Sequence, residues 1–302
     1  MYSNIAANKR NSILLIIGFV LVVTGLGYVF SRALGTSTWL YVAVIFSLGY
    51  SFVSYFYSAD IVLAASRAQE VEKADAPELY RIVENLSITA GLPMPKVYII
   101  DDAAPNAFAT GRDPQHAVVA ATSGILQVLD KSELEGVIAH ELSHVGNYDI
   151  RLMSLVAVMV SVIVLLSDWF ARFSFWGGGR RSNNNNDDSQ GIFMVIGIVL
   201  AILAPLIGTL IQLAVSRQRE YLADASGALL TRYPDGLASA LEKISADTRP
   251  LTEANKATAN LYIVNPFREN VDGGGGWVAG LFSTHPPIAE RIQRLRDLEG
   301  KV

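Results

Sequence analysis

The sequence predicts an α+β membrane protein, in which four transmembrane helices carry a mostly helical polar domain with a small β-sheet. Hydrophobic residues make up 51% of the 302 residues and charged residues only 17%, against about 25% in soluble domains. The apolar residues gather in four runs, each near the roughly 20 residues that cross a bilayer as a helix. The polar regions between and after these runs contain both helical and strand-like patterns, which predicts the mixed domain.

The four predicted spans cover residues 13–30, 39–57, 152–170 and 192–215. The first follows Lys9 and Arg10, as the core of a signal peptide would, but its apolar run exceeds the usual ~7–15 residues. We therefore expect an uncleaved anchor. The chain then divides into an N-terminal transmembrane hairpin (1–57), a first part of the polar domain (58–151), a second hairpin (152–215) and a second part of the polar domain (216–302).

Composition excludes several classes of function. The net charge of −4 gives no electrostatic support for a nucleic-acid partner. The absence of cysteine removes disulfides, thiolate metal ligands and a cysteine nucleophile, so a metal site must use His, Asp or Glu. The predicted spans hold almost no ionisable residues, which disfavours a transporter. Residues 180–190 and 273–276 are rich in Arg, Asn and Gly and predict mobile loops.

The polar region before the third span predicts two main helices and three strands. The first helix has Asp75 as its cap and Pro77 in its first turn, and it ends at Gly91. Strands follow at "KVYIID", "NAFATG" and "HAVVAAT", and then a short helix at "SGILQVL". The second main helix, "DKSELEGVIAHELSHVG", has Ser132 three residues before Glu135, the spacing of a capping box.

This second helix carries the pattern that points most directly to chemistry. His140 and His144 lie four residues apart with Glu141 between them. On a helix the two imidazoles project from one face and can bind one Zn²⁺, while Glu141 can accept and return a proton without occupying a coordination site. The pattern is the H-E-x-x-H helix of zinc hydrolases, and chance gives it in roughly a few such chains per thousand.

A catalytic zinc ion needs a third protein ligand and an open position. Glu220, which follows the fourth predicted span, is the best candidate. Asp224, one helical turn later, would accept a hydrogen bond from the free ring nitrogen of a ligand histidine. Alone this acidic pair would be an ordinary polar face, but the H-E-x-x-H helix makes it informative. Two spans separate His144 from Glu220, so a hairpin would return both residues to one face of the membrane.

The other two histidines give weaker signals. His285, in "STHPPIAERIQRLRDL", is either a surface residue at the start of a helix or a donor that stabilises the tetrahedral oxyanion. The residues alone leave both interpretations open. His116 begins the predicted strand "HAVVAAT" and is interpreted as structural.

Four motifs together resemble the HtpX family of membrane zinc metalloproteases, which are relatives of the CAAX prenyl proteases. They are "NAFATG", "AHELSHVGNYD", "REYLAD" and "STHPP", in that order, with hydrophobic pairs before and between them. The resemblance covers nearly the whole chain and implies a zincin-type (gluzincin) protease domain with one Zn²⁺. It implies His140, His144 and Glu220 as zinc ligands and Glu141 as the catalytic acid/base. It also implies Asp224 as a supporting residue and His285 as a residue near the site. The edge strand on which an extended substrate pairs would be formed by Asn106, Ala107, Phe108 and Ala109.

The resemblance further implies quality control of membrane proteins, with membrane-protein or unfolded polypeptide substrates and a catalytic domain facing the cytoplasm of the inner (plasma) membrane. Lys9 and Arg10 favour a cytoplasmic N-terminus, whereas Arg172, Arg180 and Arg181 oppose it, and we expect the first helix to dominate. One alternative is a zinc-binding membrane scaffold or chaperone without catalysis. Another, an intramembrane metalloprotease, is disfavoured by the polar residues of the motif helix. The sequence predicts no oligomeric state.

Overall fold

The computed structural model describes residues 2–33, 35–162, 217–252, 258–266 and 286–301. The helices are α1 Tyr2–Ala33, α2 Thr38–Ala65, α3 Pro77–Ala90, α4 Ser123–Val128, α5 Lys131–Gly146, α6 Asp149–Val162, α7 Arg217–Thr231, α8 Pro234–Ala246 and α9 Ile288–Arg296. The strands are β1 Gln69–Glu70, β2 Lys96–Ile100, β3 Ala107–Gly111 and β4 Ala117–Thr122, with 3₁₀ turns at Pro114–His116 and Ala259–Leu261.

Within the described residues, Ile5–Arg32 and Thr38–Ala65 are helices long and apolar enough to cross a membrane. Both extend past the ends of the first two predicted spans, and α2 is kinked at Tyr57. Helices α5 and α6 would pass as a third span only if taken together, and they are bent by 85°. The rest of the third predicted span, the whole of the fourth, and the predicted loops at 180–190 and 273–276 lie outside the described residues.

Helix α3 begins and ends with local capping chemistry. A proline occupies its first turn, and Gly91 ends it in the left-handed region at φ +66°, both as predicted. The predicted cap was wrong, because the N-cap is Ala76. The Asp75 carboxylate instead accepts a hydrogen bond from the Glu72 N–H, and so it closes the turn before the helix.

The capping box of α5 lies two residues earlier in the chain than the predicted one. Asp130 accepts a hydrogen bond from the Glu133 N–H at 3.0 Å, and Glu133 accepts one from the Asp130 N–H at 2.8 Å. The predicted pair, Ser132 and Glu135, lies inside the helix. Both pairs have the same spacing of three residues, and Asp caps a helix as well as Ser.

The sheet has the strand order β1-β2-β4-β3, with β2 parallel to β4 and the other pairs antiparallel. The three predicted strands are confirmed, and the two-residue β1 adds a strand that the sequence did not indicate. β4 begins at Ala117, so His116 lies in the turn before the strand and not in it. There it is exposed, with Nδ1 2.6 Å from Asp113 Oδ1.

A hydrophobic core lies on each face of this sheet. Alternate residues such as Ala107 and Val119 pack with α3, α5 and α8. The residues between them, such as Phe108 and Val118, pack with the end of α2 and with α6. Every residue of β3 and β4 is buried as a result. Helix α5, which carries the H-E-x-x-H pattern, is therefore enclosed between the sheet and the later helices.

Helices α5 and α8 cross at Gly136. An added Cβ there would lie 2.6 Å from Leu237 N and 2.8 Å from Leu237 Cα. Because these are backbone atoms, the helices would have to separate. We expect Gly136→Ala to destabilise the protein by about 1–3 kcal/mol, seen as a lower melting temperature of the full-length protein in detergent.

Gly146→Ala, at the end of the same helix, is the matched control. Its nearest atoms belong to the flexible Leu92 side chain, at 3.7 Å. Alanine there should leave the melting temperature unchanged or raise it, since alanine favours helix over glycine. Equal losses in the two variants would contradict the close-packing explanation.

Candidate metal centre

Helices α5 and α7 bring together the three side chains that the sequence predicts as metal ligands. His140 and His144 of α5 and Glu220 of α7 are all buried. His140 Nε2 lies 3.2 Å from His144 Nε2, and the two nitrogens lie 3.8 and 3.6 Å from the Glu220 carboxylate oxygens. The helices approach closely because Gly227 of α7 faces the His140 backbone, where an added Cβ would lie 3.0 Å from His140 N.

These distances fit a bound metal ion. Ligand atoms about 2.0–2.1 Å from a tetrahedral ion lie roughly 3.3 Å from one another, and the observed separations run from 3.2 to 3.8 Å. One donor atom from each residue lies within 4.8 Å of the other two. Two imidazoles and a carboxylate are also a donor set that suits Zn²⁺.

Asp224 lies where the sequence predicts it, behind a ligand histidine. Its Oδ1 is 3.0 Å from His140 Nδ1, the ring nitrogen that faces away from Glu220. A carboxylate in this position fixes the tautomer and the orientation of the ring, so that Nε2 faces the metal position.

Arg291 of α9 is a functional residue that the sequence interpretation missed. Its Nε and Nη2 donate to the two oxygens of Asp224 at 2.9 and 2.7 Å, and its Nη1 lies 3.6 Å from Glu220 Oε2. The side chain is fully buried. A signal was present, because Arg291 shares a helix face with Ile288 and Leu295, which pack into the core.

Asp149, the first residue of α6, is the second missed residue. Its Oδ2 lies 3.0 Å from His144 Nδ1, and its side chain is 1% exposed. Each ligand histidine therefore has its own carboxylate behind it. In the sequence analysis Asp149 counted only as one of the polar residues that place the motif helix outside the bilayer. Its position five residues after His144 was a signal that it could contact this histidine.

The charges around the histidines suit a cation at this position. Burial lowers the pKa of His140, which keeps its imidazole neutral at pH 7. Burial also acts to lower the pKa of His144, but the Asp149 hydrogen bond and the Glu220 charge raise it to about 9. Burial would raise the pKa of Asp224, yet the Arg291 charge and His140 hold it at about 2. Metal binding would thus replace a proton on His144.

Glu141 lies beside the three ligands without being one of them. Burial raises its pKa to about 8, with Glu220 also raising it and His144 lowering it. A backbone hydrogen bond from Ala109 of β3 acts in the lowering direction. A carboxyl group with a pKa near neutrality is suited to accept a proton and return it.

β3 forms the outer edge of the described sheet, but its predicted substrate-binding face is partly occupied. The Ile263 N–H donates to Ala107 O at 3.0 Å, and Asn106 Nδ2 donates to Val264 O at 2.9 Å. Pairing of a substrate along this strand therefore stays a prediction. His285, which the sequence left as either a surface residue or an oxyanion donor, lies outside the described residues.

The H-E-x-x-H helix with a glutamate from a distant helix, in a chain with two N-terminal helices long and apolar enough to cross a membrane, defines the class of a membrane metalloprotease. The chain belongs to peptidase family M48, whose family model matches residues 73–299. It is 50% identical to a protease HtpX homolog of Tropheryma whipplei (strain Twist) over 298 residues, covering 99% of this chain and 98% of the relative.

Two further comparisons agree with this assignment. A protease HtpX homolog of Dictyoglomus turgidum is 48% identical over 297 residues, covering 98% of this chain and 94% of the relative. The crystal structure of S. mikatae Ste24p matches with a TM-score of 0.52 and 20% identity, over 98% of this chain and 67% of Ste24p. This last likeness is one of fold. The resemblance to the HtpX family predicted from the sequence motifs is therefore confirmed.

The contacts of Asp224 predict a measurable effect on metal binding. Asp224→Asn keeps the size of the side chain but removes the charge that faces His140 and Arg291. We expect zinc affinity to fall about 10- to 100-fold, as for other outer-shell partners of metal-bound histidines. Competition with a chelator on the full-length protein measures this.

Asp235→Asn is the matched control. Its carboxylate lies 3.8 Å from Arg296 in a partly exposed pair, and such pairs contribute only about 0–1 kcal/mol. Its zinc affinity should equal that of the wild type. An Asp224→Asn protein with wild-type affinity would show that Asp224 does not support the metal centre.

Proposed function

We propose that this metalloprotease is a zinc-dependent endopeptidase, in which His140, His144 and Glu220 hold one Zn²⁺. The observation that carries the proposal is the buried triangle of donor atoms, with sides of 3.2, 3.6 and 3.8 Å. A cluster of polar side chains that only stabilised the fold would not require two imidazole nitrogens to point at each other and, at the same time, at one carboxylate. Asp149 and Asp224 behind the rings support the same assignment.

Zn²⁺, when bound, supplies Lewis-acid chemistry to the scissile carbonyl. Glu141, buried beside the three proposed ligands, accepts the proton of the attacking water and returns it to the leaving amine. Asp149 and Asp224 hold the two imidazole rings in the tautomer that directs Nε2 toward Glu220. Arg291 balances the negative charge of Asp224 and Glu220 and so keeps both carboxylates in place.

The proposed substrates are unfolded chains and membrane proteins, in a role of protein quality control. An extended substrate would add a strand along Asn106, Ala107, Phe108 and Ala109, and the Ile263 bond to Ala107 would give way to it. The bond between Ala109 and Glu141 supports this, because it places the strand beside the proposed acid/base. His285 is proposed as the donor to the oxyanion.

Glu141→Gln tests the mechanism. The variant should bind one zinc ion as the wild type does, because Glu141 is outside the ligand set. Its cleavage of an unfolded protein substrate should fall by about 100-fold or more, since a positioned acid/base contributes about 10²–10⁴. Zinc analysis and a turnover assay on the same preparations measure both properties.

Glu135→Gln is the matched control, because this partly exposed residue of the same helix forms an ion pair with Lys131, at 3.7 Å, and lies outside the proposed ligand set. It should keep full activity. Full activity in Glu141→Gln would remove the proposed mechanism. A wild-type protein that binds zinc without any turnover would instead favour the scaffold or chaperone.

We further propose that the chain crosses the inner (plasma) membrane four times, with the protease domain in the cytoplasm. Lys9 and Arg10 at the start of α1 support a cytoplasmic N-terminus. The same end of α1 contacts the protease domain, since Asn8 Nδ2 donates to Asp149 Oδ1 at 2.6 Å. The N-terminus and the candidate metal centre therefore lie on one side of the membrane.

Single cysteines can report this orientation, because the chain contains none. Thr36→Cys would place a thiol in the exposed turn between α1 and α2, and Lys131→Cys would place one at the exposed start of α5. In right-side-out membrane vesicles, a membrane-impermeant maleimide should label Thr36→Cys only. After permeabilisation it should label both. Labelling of Lys131→Cys alone in sealed vesicles would reverse the proposed orientation.

A further inference from the structure

Asn8 is a buried polar residue near the start of the first membrane helix, with a side chain that joins three separate parts of the chain. Its Nδ2 donates to Asp149 Oδ1 at 2.6 Å and to the backbone oxygen of Asn147 at 3.0 Å. Its Oδ1 accepts a hydrogen bond from Arg219 Nη1 at 3.4 Å. One amide therefore contacts the end of α5, the start of α6 and the first turn of α7.

Each of these contacts lies close to a proposed metal ligand. Asp149 uses one oxygen for Asn8 and the other for His144 Nδ1. Arg219 directly precedes Glu220 in the chain. Asn8 thus acts on the histidine half of the site through Asp149, whereas its contact with α7 is to the Arg219 side chain and not to Glu220 itself.

We infer that Asn8 is a positioning residue of the metal centre, which holds the Asp149 carboxylate in the orientation that directs His144. The inference rests on the proposed function, in which His144 binds zinc. Without Asn8 the second oxygen of Asp149 loses its 2.6 Å hydrogen bond, and the carboxylate, although still near the charge of Arg219, can rotate about its bond to Cβ and leave the His144 ring. The N-terminal membrane helix is then part of the catalytic machinery and not only an anchor.

The chemistry of the side chain supports this role. An amide offers two N–H donors and one carbonyl acceptor in a fixed plane, and all three functions are used by Asn8. A carboxylate at this position would have no donor for Asp149, and a hydroxyl would have one donor for two acceptors.

The packing of α1 does not depend on Asn8 alone. Leu15 and Phe19 of α1 are buried against Leu152 and Leu155 of α6. Removal of the Asn8 amide should therefore leave the helix docked, so that its effect on the metal centre can be measured separately.

The test is zinc affinity of the full-length protein in detergent, measured by competition with a chelator. We expect Asn8→Ala to weaken zinc binding about ten-fold and Asp149→Ala to weaken it about 100-fold, the two ends of the range for outer-shell partners. On the Asp149→Ala background, Asn8→Ala should have no further effect, because the residue through which it acts is gone. A general loss of packing would add to the Asp149→Ala effect instead.

Ser12→Ala is the matched control, since it lies one turn along α1 and its hydroxyl donates to the Asn8 backbone oxygen at 2.9 Å. It should bind zinc as the wild type does. The inference is overturned if Asn8→Ala keeps wild-type affinity, if Ser12→Ala loses as much, or if the two effects combine in full in the double variant.

Asn8→Asp provides a second route should Asn8→Ala fail to fold. It has nearly the same size but no donor for Asp149, so its zinc affinity should fall at least as far, and wild-type affinity in this variant would also overturn the inference. A wild-type protein that binds no zinc would refute the proposed function itself. A wild-type protein that binds zinc, with an affinity that does not respond to Asn8, would refute only the role of Asn8.

Discussion

Buried charge between α5, α7 and α9 is the constraint on which the rest of the structure depends. Glu141, Glu220 and Asp224 are all withdrawn from water within a few side chains of one another. A buried carboxylate without a partner costs several kcal/mol, so the fold must bring positive charge to the same place. Arg291 supplies it, fully buried and within 3.6 Å of two of these acids. The docking of α9 is therefore an electrostatic requirement of the site.

A second centre of positive charge is required beside the histidines, and a divalent cation would supply it. Each imidazole has a carboxylate behind it, Asp224 for His140 and Asp149 for His144. These carboxylates come from different helices, α7 and α6, so the rings are oriented only when both helices are in place. The close contact of α7 with the His140 backbone at Gly227 makes this possible for Asp224. Ring orientation and helix packing are thus coupled in one small region.

What the sequence could predict follows from the range of each interaction. His140 and His144 share a helix face through local geometry alone, and Glu220 could be added because the predicted hairpin of two spans would return the chain to the same face of the membrane. Arg291 and Asn8 could not be placed, because their partners lie far away in the chain and each alone resembles an ordinary helix residue. Helices α1 and α2 extend past the predicted spans, because hydropathy marks only the apolar part of a helix, whereas its backbone hydrogen bonds continue into polar residues.

The break between α5 and α6 explains how the chain returns Asp149 to the candidate metal centre. In a continuous helix, residues five apart point about 140° away from each other, so the side chain of Asp149 could not reach the ring of His144. The 85° bend removes this restriction and returns the carboxylate to within 3.0 Å of the ring. A straight helix would also carry the H-E-x-x-H pattern into line with the apolar α6. The same bend therefore separates the H-E-x-x-H helix from the apolar α6 and supplies the carboxylate that lies beside His144.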